Sequence, residues 1–225
     1  MNYLFIDTEC ANPKYGSICT FGYFMTDENF VKIESEDILM NPETEYDPYV
    51  ARNILRYSLS ELDSNMPFPC YYDRIKELLC RKQTLVFGFS LSNDIRFLNE
   101  TCMRYRLPSI NCGFYDVQKI FSEYTHSKNE VSIEKAVKSL DINVKTLAHR
   151  SDEDARASME IAKAICVRTG LSLPGLVKKL PSCSGNNKNF VESWNVENSR
   201  KIDHITEHNR RLLKYRNKEQ AKHVG

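Results

Sequence analysis

The sequence lacks any apolar run long enough to span a membrane and has no internal repeat. A helix needs about 20 consecutive apolar residues to cross a bilayer. The first residues carry no basic cluster and reach an acid by Asp7, so we expect no signal peptide. With 41% hydrophobic and 27% charged residues, the chain is able to bury a core. These features predict a cytoplasmic globular protein without a membrane span.

Closely spaced cysteine pairs are also missing. The chain contains no C-x-x-C pair, and its eight cysteines are irregularly spaced: Cys10, Cys19, Cys70, Cys80, Cys102, Cys112, Cys166 and Cys183. Most of them lie in apolar surroundings, where a free thiol behaves as a small hydrophobic side chain. The pattern favours reduced thiols, as in a cytoplasmic protein.

Basic residues are scarce at the start of the chain. Before Arg52 the only ones are Lys14 and Lys32, which stand among many acids. The end of the chain is basic and carries Arg200, Lys201, Arg210, Arg211, Lys214, Arg216, Lys218 and Lys222. The formal net charge of +1 therefore combines an acidic front with a basic tail. This separation favours a cation site at one end and contact with a polyanion at the other.

Hydrophobic patterns predict three strands first, and then alternating helices and strands. The predicted strands are Tyr3–Asp7, Ser17–Met25, Phe30–Ile38, Thr84–Phe89 and Cys112–Val117. The predicted helices cover residues 59–65, 71–80, 132–139 and 151–168, together with one capped by Ser92 or Asn93 that runs to about Tyr105. This order predicts an α/β fold with a mixed sheet. The polar segment Pro181–Lys188 indicates a linker to a C-terminal region that is partly helical or disordered.

The first predicted strand ends in two acids, Asp7 and Glu9. Side chains alternate across a strand, so both project from one face with Cα atoms about 6.5 Å apart. Two carboxylates at that spacing repel each other unless a cation or a proton lies between them. Oxygen ligands on a rigid strand suit Mg²⁺ or Mn²⁺. The alternative is a strand that simply emerges into solvent.

Two later segments carry further acids. Asp94 begins a helix directly after a buried strand, and an N-cap is its alternative role. Asp154 heads a helical stripe that includes Ile161 and Ile165, so it points toward the core. Its alternative is a capping box with Ser151. His149 precedes this helix and could be a ligand, a structural residue or a base.

Three motifs in this order resemble the DEDDh exonuclease family, which includes the proofreading epsilon subunit of bacterial DNA polymerase III, ribonuclease T and oligoribonuclease. They are D-x-E on the first strand, an Asp after the fourth strand, and H-x-x-x-x-D opening a late helix. The resemblance extends over residues 1–168. It includes the connecting stretches DTECANPKYGSICTFGYF, EYDPYVARN and MPFPCYYDRI.

The resemblance implies a ribonuclease-H-like exonuclease domain over residues 1–170, with a five-stranded mixed sheet flanked by helices on both faces, and a basic extension over 171–225. It implies a 3′–5′ exonuclease that hydrolyses phosphodiester bonds from the 3′ end and releases nucleoside monophosphates. Two divalent metal ions, Mg²⁺ or Mn²⁺, would be held by Asp7, Glu9, Asp94 and Asp154, with His149 as general base. The expected substrate is a single strand or 3′ end, with DNA favoured and RNA an alternative, and a polymerase is a candidate partner.

The chain departs from the family pattern near the expected nucleotide site. Phe89 and Ser90 stand where the family often has His-Asn, and Asn93 stands where a Phe often precedes the Asp. The segment Arg56–Leu59 replaces a His-Gly-Ile stretch. Because these positions usually help to hold the terminal nucleotide, the departures concern substrate preference and rate rather than the metal site.

Two other functions have some support in the sequence. His204, Glu207 and His208 match the H-x-x-E-H pattern of inverted zinc peptidases. The match lies in a basic, polar stretch without a core around it, so we interpret it as chance. The second is a catalytically weak nucleic-acid-binding or polymerase-associated module on the same fold. The presence of all five expected catalytic residues argues against it.

Overall fold

The computed structural model describes residues 1–14, 16–127, 129–144 and 149–187. Within these residues one sheet contains six strands: β1 (Asn2–Cys10), β2 (Ile18–Asp27), β3 (Lys32–Leu39), β4 (Thr84–Gly88), β5 (Gly113–Asp116) and β6 (Ser184–Asn186). The strand order is β3-β2-β1-β4-β5-β6. β1 pairs antiparallel with β2 and parallel with β4, so it is a central strand. The predicted α/β fold with a mixed sheet is confirmed.

The described helices are α1 (Leu59–Ser64), α2 (Tyr72–Leu79), α3 (Ser92–Arg104), α4 (Val117–Thr125), α5 (Ile133–Ser139), α6 (Ser151–Thr169) and α7 (Leu173–Lys179). Sequence patterns predicted all of them except α4 and α7. Short turns of π and 3₁₀ helix cover Val50–Ile54, Phe68–Cys70 and Pro181–Cys183. Gly170 ends α6 in the left-handed conformation, as predicted. None of the described helices combines the length and apolarity that a membrane span requires.

β1 is buried on both faces because its apolar side chains enter two different cores. Leu4 and Ile6 belong to a core that includes side chains of α2 and α3. Tyr3 and Phe5 point the other way and pack with side chains of α4, α6 and α7. Helices therefore cover both faces of the sheet and hold its central strand from each side. All eight cysteines are free thiols, and five of them are fully buried.

The sheet has one strand more than the five that the sequence predicted. β6 pairs antiparallel with β5, and Phe114 lies opposite Gly185. The predicted linker is therefore wrong up to residue 187, since a 3₁₀ turn and β6 occupy it. Asn187 fastens this segment by donating hydrogen bonds to the carbonyl of Ile110 and to the side chain of Asn99. The packed structure thus continues beyond the predicted boundary at residue 170, and the basic residues of the tail lie outside the described residues.

A glycine on β2 allows α6 to approach the sheet closely. Gly22 pairs with Asp7 across the β1–β2 ladder. A Cβ atom at Gly22 would lie 2.0 Å from the carbonyl carbon of Ser151, the first residue of α6. Any side chain would therefore displace the beginning of this helix. The close approach brings the first turn of α6 to the end of β1.

We predict that Gly22→Ala lowers the melting temperature, because the backbone of Ser151 must move to admit a methyl group. Overpacking of this kind typically costs about 1–3 kcal/mol, and each kcal/mol lowers Tm by about 2–4 °C in a chain of this size. Gly113→Ala is the matched control, since its new Cβ would meet nothing closer than 4.0 Å. Thermal unfolding of both variants checks the prediction. Equal losses in the two would contradict it.

Candidate active site

The C-terminal end of β1 carries Asp7 and Glu9 on one face of the strand. Strand alternation places both on the same face as Tyr3 and Phe5, against which α6 packs. Both acids are partly exposed, because they border a cleft of about 340 Å³. The prediction that these two carboxylates project together is confirmed by the strand geometry.

Asp94 is tied to β1 by two hydrogen bonds. Its Oδ1 accepts from the backbone N–H of Thr8 at 2.9 Å and from the Thr8 hydroxyl at 2.8 Å. Asp94 lies in the first turn of α3, whose N-cap is Leu91 without a side-chain cap. The predicted capping by Ser92 or Asn93 is therefore wrong. Thr8 stands between the two acids of the D-x-E motif, and it holds the third acid beside them.

Asp154 is buried at the beginning of α6, with 8% of its surface exposed. Its stripe partners Ile161 and Ile165 are fully buried, as the helical period predicted. Its Oδ2 accepts the backbone N–H of His149 at 2.9 Å. Its Oδ1 is buried without a hydrogen-bond partner among the described residues. The alternative capping box does not form, because Arg150 rather than Ser151 is the N-cap residue of α6, and its side chain makes no capping hydrogen bond.

His149 lies between α6 and the carboxylates of β1. Its Nδ1 is 3.5 Å from Oε1 of Glu9, and 38% of its side chain is exposed. Its backbone adopts the left-handed region with φ 67°, which costs a non-glycine residue about 1–2 kcal/mol. Contact with the Glu9 carboxylate raises the pKa of His149 above its ordinary value. The imidazole is therefore close to the acids and partly open to solvent.

The electrostatics of the site are dominated by several acidic side chains that lie close together. Burial first, and then the charges of Asp94, Asp154 and Glu9, raise the pKa of Asp7 well above its ordinary value. Burial likewise raises the pKa of Asp94 to about 7 and that of Asp154 to about 7. Carboxyl groups with such values share protons near neutrality unless a cation compensates them. Asp7 responds to each of the other three acids, so it is the electrostatic centre of the group.

The residues present fit a divalent cation. Ligand atoms of Glu9, His149 and Asp154 all lie within 4.8 Å of one another. Oδ1 of Asp154, which no described residue hydrogen-bonds, supplies a buried acceptor, and buried polar atoms normally have a partner. Carboxylate oxygens are the ligands that Mg²⁺ and Mn²⁺ prefer. The structure thus brings the five predicted site residues to one end of β1.

The cleft beside the acids contains three of the positions that depart from the family pattern, Phe89, Ser90 and Asn93, whereas the Arg56–Leu59 segment does not line it. Its walls are formed by Asp7, Thr8, Glu9, Cys10, Asn12, Pro13, Val50, Ile54, Phe89, Ser90, Asn93, Asp94 and Phe97. Ser90 has φ 57° and donates its N–H to Asp116, which holds the turn after β4. Sequence reasoning missed Thr8, Val50 and Ile54. The hydroxyl of Thr8 inside the D-x-E motif was the one available signal.

We predict that Asp7→Asn raises the Tm of the metal-free protein, and more at pH 8 than at pH 5. A carboxyl whose folded pKa exceeds its unfolded value of about 3.9 lowers stability as pH rises from about 4 through the folded pKa. At pH 8 the acids around Asp7 are charged, so removing one charge gives the larger gain. Thermal unfolding in EDTA measures it, with the exposed Glu77→Gln as control. A gain that is equal at the two pH values, or absent, would contradict this account.

Comparison with known proteins places the chain in a family. A family model described as RNase_T, exonuclease, matches residues 4–162. No curated protein matches the chain. The nuclease domain of 3′hExo, a DEDDh family member bound to rAMP, has a TM-score of 0.62 at 15% identity and aligns over 75% of this chain and 92% of that one. Exonuclease I of E. coli in complex with a dA16 oligonucleotide has a TM-score of 0.62 at 17% identity and aligns over 80% of this chain.

This chain covers 43% of exonuclease I, and identities this low establish the fold alone. The ribonuclease-H-like fold expected from the motifs is thereby confirmed, with β6 added to its sheet. The family match covers well over half of the 225 residues, and all five predicted catalytic positions lie within it. The chain belongs to the RNase_T exonuclease family and is an exonuclease, a hydrolase that acts on nucleic acids.

Proposed function

We propose that this protein is a divalent-metal-dependent 3′–5′ exonuclease that releases nucleoside monophosphates. The observation that carries the proposal is the buried Oδ1 of Asp154, which has no hydrogen-bond partner among the described residues and lies in a cluster with three other carboxylates and an imidazole. Three separate elements, β1, α3 and the first turn of α6, supply the carboxylates, and His149 just before α6 supplies the imidazole. A purely structural cluster would have its buried acceptor satisfied by a donor of the protein.

The proposed ligands of the metal ions are Asp7, Glu9, Asp94 and Asp154. Mg²⁺ and Mn²⁺ match this oxygen-rich set. When bound, two such ions would stabilise charge at the attacking water and at the leaving 3′ oxygen. The protein's own contribution is to keep the carboxylates in place, which Thr8 does for Asp94 through two hydrogen bonds.

His149 is the proposed general base. Its Nδ1 faces the Glu9 carboxylate, so a proton on Nδ1 leaves Nε2 free to accept the proton of the attacking water. The backbone N–H of the same residue is bonded to Asp154. His149 is therefore held through its ring by Glu9 and through its backbone by Asp154, while the partial exposure of the side chain leaves room for water and substrate.

The cleft is the proposed site of the terminal nucleotide. Val50, Ile54, Phe89 and Phe97 give it apolar walls, and the acids lie at one end. Such walls suit the face of a base, while the scissile phosphate would lie toward the carboxylates. Single-stranded DNA is the favoured substrate and RNA the alternative. The polymerase partner, the cytoplasmic location and phosphate contacts by the basic tail stay predictions from the sequence.

Oligonucleotides labelled at one end test the direction and the product. Single-stranded DNA and RNA labelled at the 5′ end should give a ladder that shortens one nucleotide at a time. The same strands labelled at the 3′ end should release a labelled mononucleotide at once. EDTA should stop both reactions, and Mg²⁺ or Mn²⁺ should restore them. Internal cuts, release from the 5′ end first, or hydrolysis in EDTA would overturn the proposal.

We predict that Asp154→Asn lowers hydrolysis by at least about 10²-fold, because a metal-site charge is worth several kcal/mol in the transition state. The matched control is Asp152→Asn, which lies in the same helical turn and pairs with Arg150 on the surface. It should keep nearly full activity. Steady-state rates in Mn²⁺ and circular dichroism spectra of both variants provide the measurement. An essential Asp152 with a dispensable Asp154 would show that the ligand assignment is wrong.

We predict that His149→Ala lowers kcat by about 10²–10⁴-fold, the usual contribution of a positioned base. The Mn²⁺ concentration that gives half-maximal activity should change little. His126→Ala is the matched control, because His126 is an exposed histidine that also has a left-handed backbone, with φ 54°. Rates over a Mn²⁺ titration separate the two effects. Loss of metal binding, or a full rate, in His149→Ala would contradict the role of base.

A further inference from the structure

A buried polar network lies behind the candidate active site and contains none of its proposed ligands. It joins Thr20 on β2, Asp37 on β3, Tyr57 in the segment before α1, and Ser151 at the start of α6. Asp37 has 8% of its side chain exposed, Tyr57 is 8% exposed, and Thr20 and Ser151 are fully buried. Tyr57 belongs to the Arg56–Leu59 stretch that departs from the family pattern. The function proposed above uses none of these four side chains.

The hydrogen bonds of this network run toward the carboxylate of Asp37. The Tyr57 hydroxyl donates to Oδ2 of Asp37, and the Ser151 hydroxyl donates to Oδ1 at 2.9 Å. Because the proton of Ser151 is used in this way, the 2.7 Å contact between Ser151 and Thr20 has Thr20 as its donor. Thr20 in turn accepts the backbone N–H of Glu9 at 3.1 Å. Each hydroxyl group of this network thus donates to an acceptor, and the carboxylate of Asp37 accepts two of these hydrogen bonds.

The network also caps α6. The first amides of a helix have no partner within the helix, and α6 has no side-chain cap of its own at Arg150. The N–H of Ser151 donates instead to the Tyr57 hydroxyl at 3.1 Å. The guanidinium of Arg150 lies 3.6 Å from Oδ2 of Asp37 and 5.6 Å from the centre of the Tyr57 ring. Both residues that follow His149 are therefore held by the same Tyr–Asp pair.

His149 needs such support, because its backbone occupies the unfavourable left-handed region. Its ring meets Glu9, whose own backbone N–H is bonded to Thr20. The network thus reaches both members of the pair: Glu9 through Thr20, and His149 through Ser151. A shift of either would change the distance between the imidazole and the carboxylate.

We propose that Tyr57 and Asp37 are positioning residues that set the place of His149 relative to Glu9. They do not line the cleft, their hydrogen bonds go to each other and to Ser151, and they act through the start of α6. The proposal rests on the proposed role of His149 as general base. A merely structural cap would alter stability and leave the catalytic step of the folded enzyme unchanged.

The test is a double-mutant cycle on kcat with Tyr57→Phe and His149→Ala. Alone, Tyr57→Phe should lower kcat by about 10-fold, as the loss of an orienting partner typically does, while KM and the Mn²⁺ dependence stay unchanged. In the His149→Ala background it should change kcat by less than about 2-fold, because there is no longer a base to position. Asp37→Asn should behave in the same way and serves as the second variant if Tyr57→Phe fails to fold.

Tyr46→Phe is the matched control. Tyr46 donates to Asp63 at 2.9 Å in the same connecting segment, but this pair is at the surface and is separate from α6. It should leave kcat unchanged. An unchanged kcat in folded Tyr57→Phe and Asp37→Asn, or the same 10-fold loss with and without His149, would overturn the positioning role and leave the proposed function intact. If His149→Ala keeps the full rate, the base assignment fails and the positioning role fails with it.

Discussion

Repulsion between carboxylates at the end of β1 is the constraint around which this structure is built. Burial, and then each acid that approaches Asp7, raises the cost of ionising it, and the pKa of Asp7 accordingly lies well above its ordinary value. Two features oppose this cost. The first turns of α3 and α6 carry Asp94 and Asp154, and the N-terminus of a helix favours negative charge. The two hydrophobic cores pack against opposite faces of β1 and keep the acids from moving apart.

The approach of α6 depends on small side chains as much as on charge. Gly22 leaves the space that the backbone of Ser151 occupies, directly opposite Asp7 in the ladder. The short side chain of Ser151 then ties the helix to the sheet through hydrogen bonds with Thr20 and Asp37. Without this contact the helix would lie farther from β1, and Asp154 would not reach the other acids. The close approach of α6 to β2 therefore contributes to the packing of the fold and also brings Asp154 to the other acids.

Local periodicity was enough to predict much of this arrangement. The two-residue period of β1 placed Asp7 and Glu9 on one face, and the helical period of α6 directed Asp154 inward, because both rules act over a few residues. Contacts between distant segments leave no such signal. Ser151 and Asp37 are 114 residues apart, so the sequence around neither residue indicates that their side chains are hydrogen-bonded. β6 was missed because three residues with a central glycine show no alternation.

The predicted boundaries of strands and helices were wrong where one residue takes part in two elements. Asp116 ends β5 and also caps α4 by accepting from Gln118 and Lys119, so no turn separates strand from helix. It also accepts the N–H of Ser90, which fixes the turn before α3. A sequence rule that expects one role for each residue cannot represent such sharing.

The two oxygens of Asp154 have different tasks, and this division links the proposed ligand to the proposed base. Oδ2 accepts the N–H of His149, whereas Oδ1 has no partner among the described residues. Because Oδ2 is bonded to the backbone of His149, that backbone cannot shift without disturbing the carboxylate of Asp154. The proposed ligand and the proposed base are therefore held together at the beginning of α6. Coupling of this kind explains why the histidine precedes its aspartate by five residues at the beginning of a helix rather than lying on a separate loop.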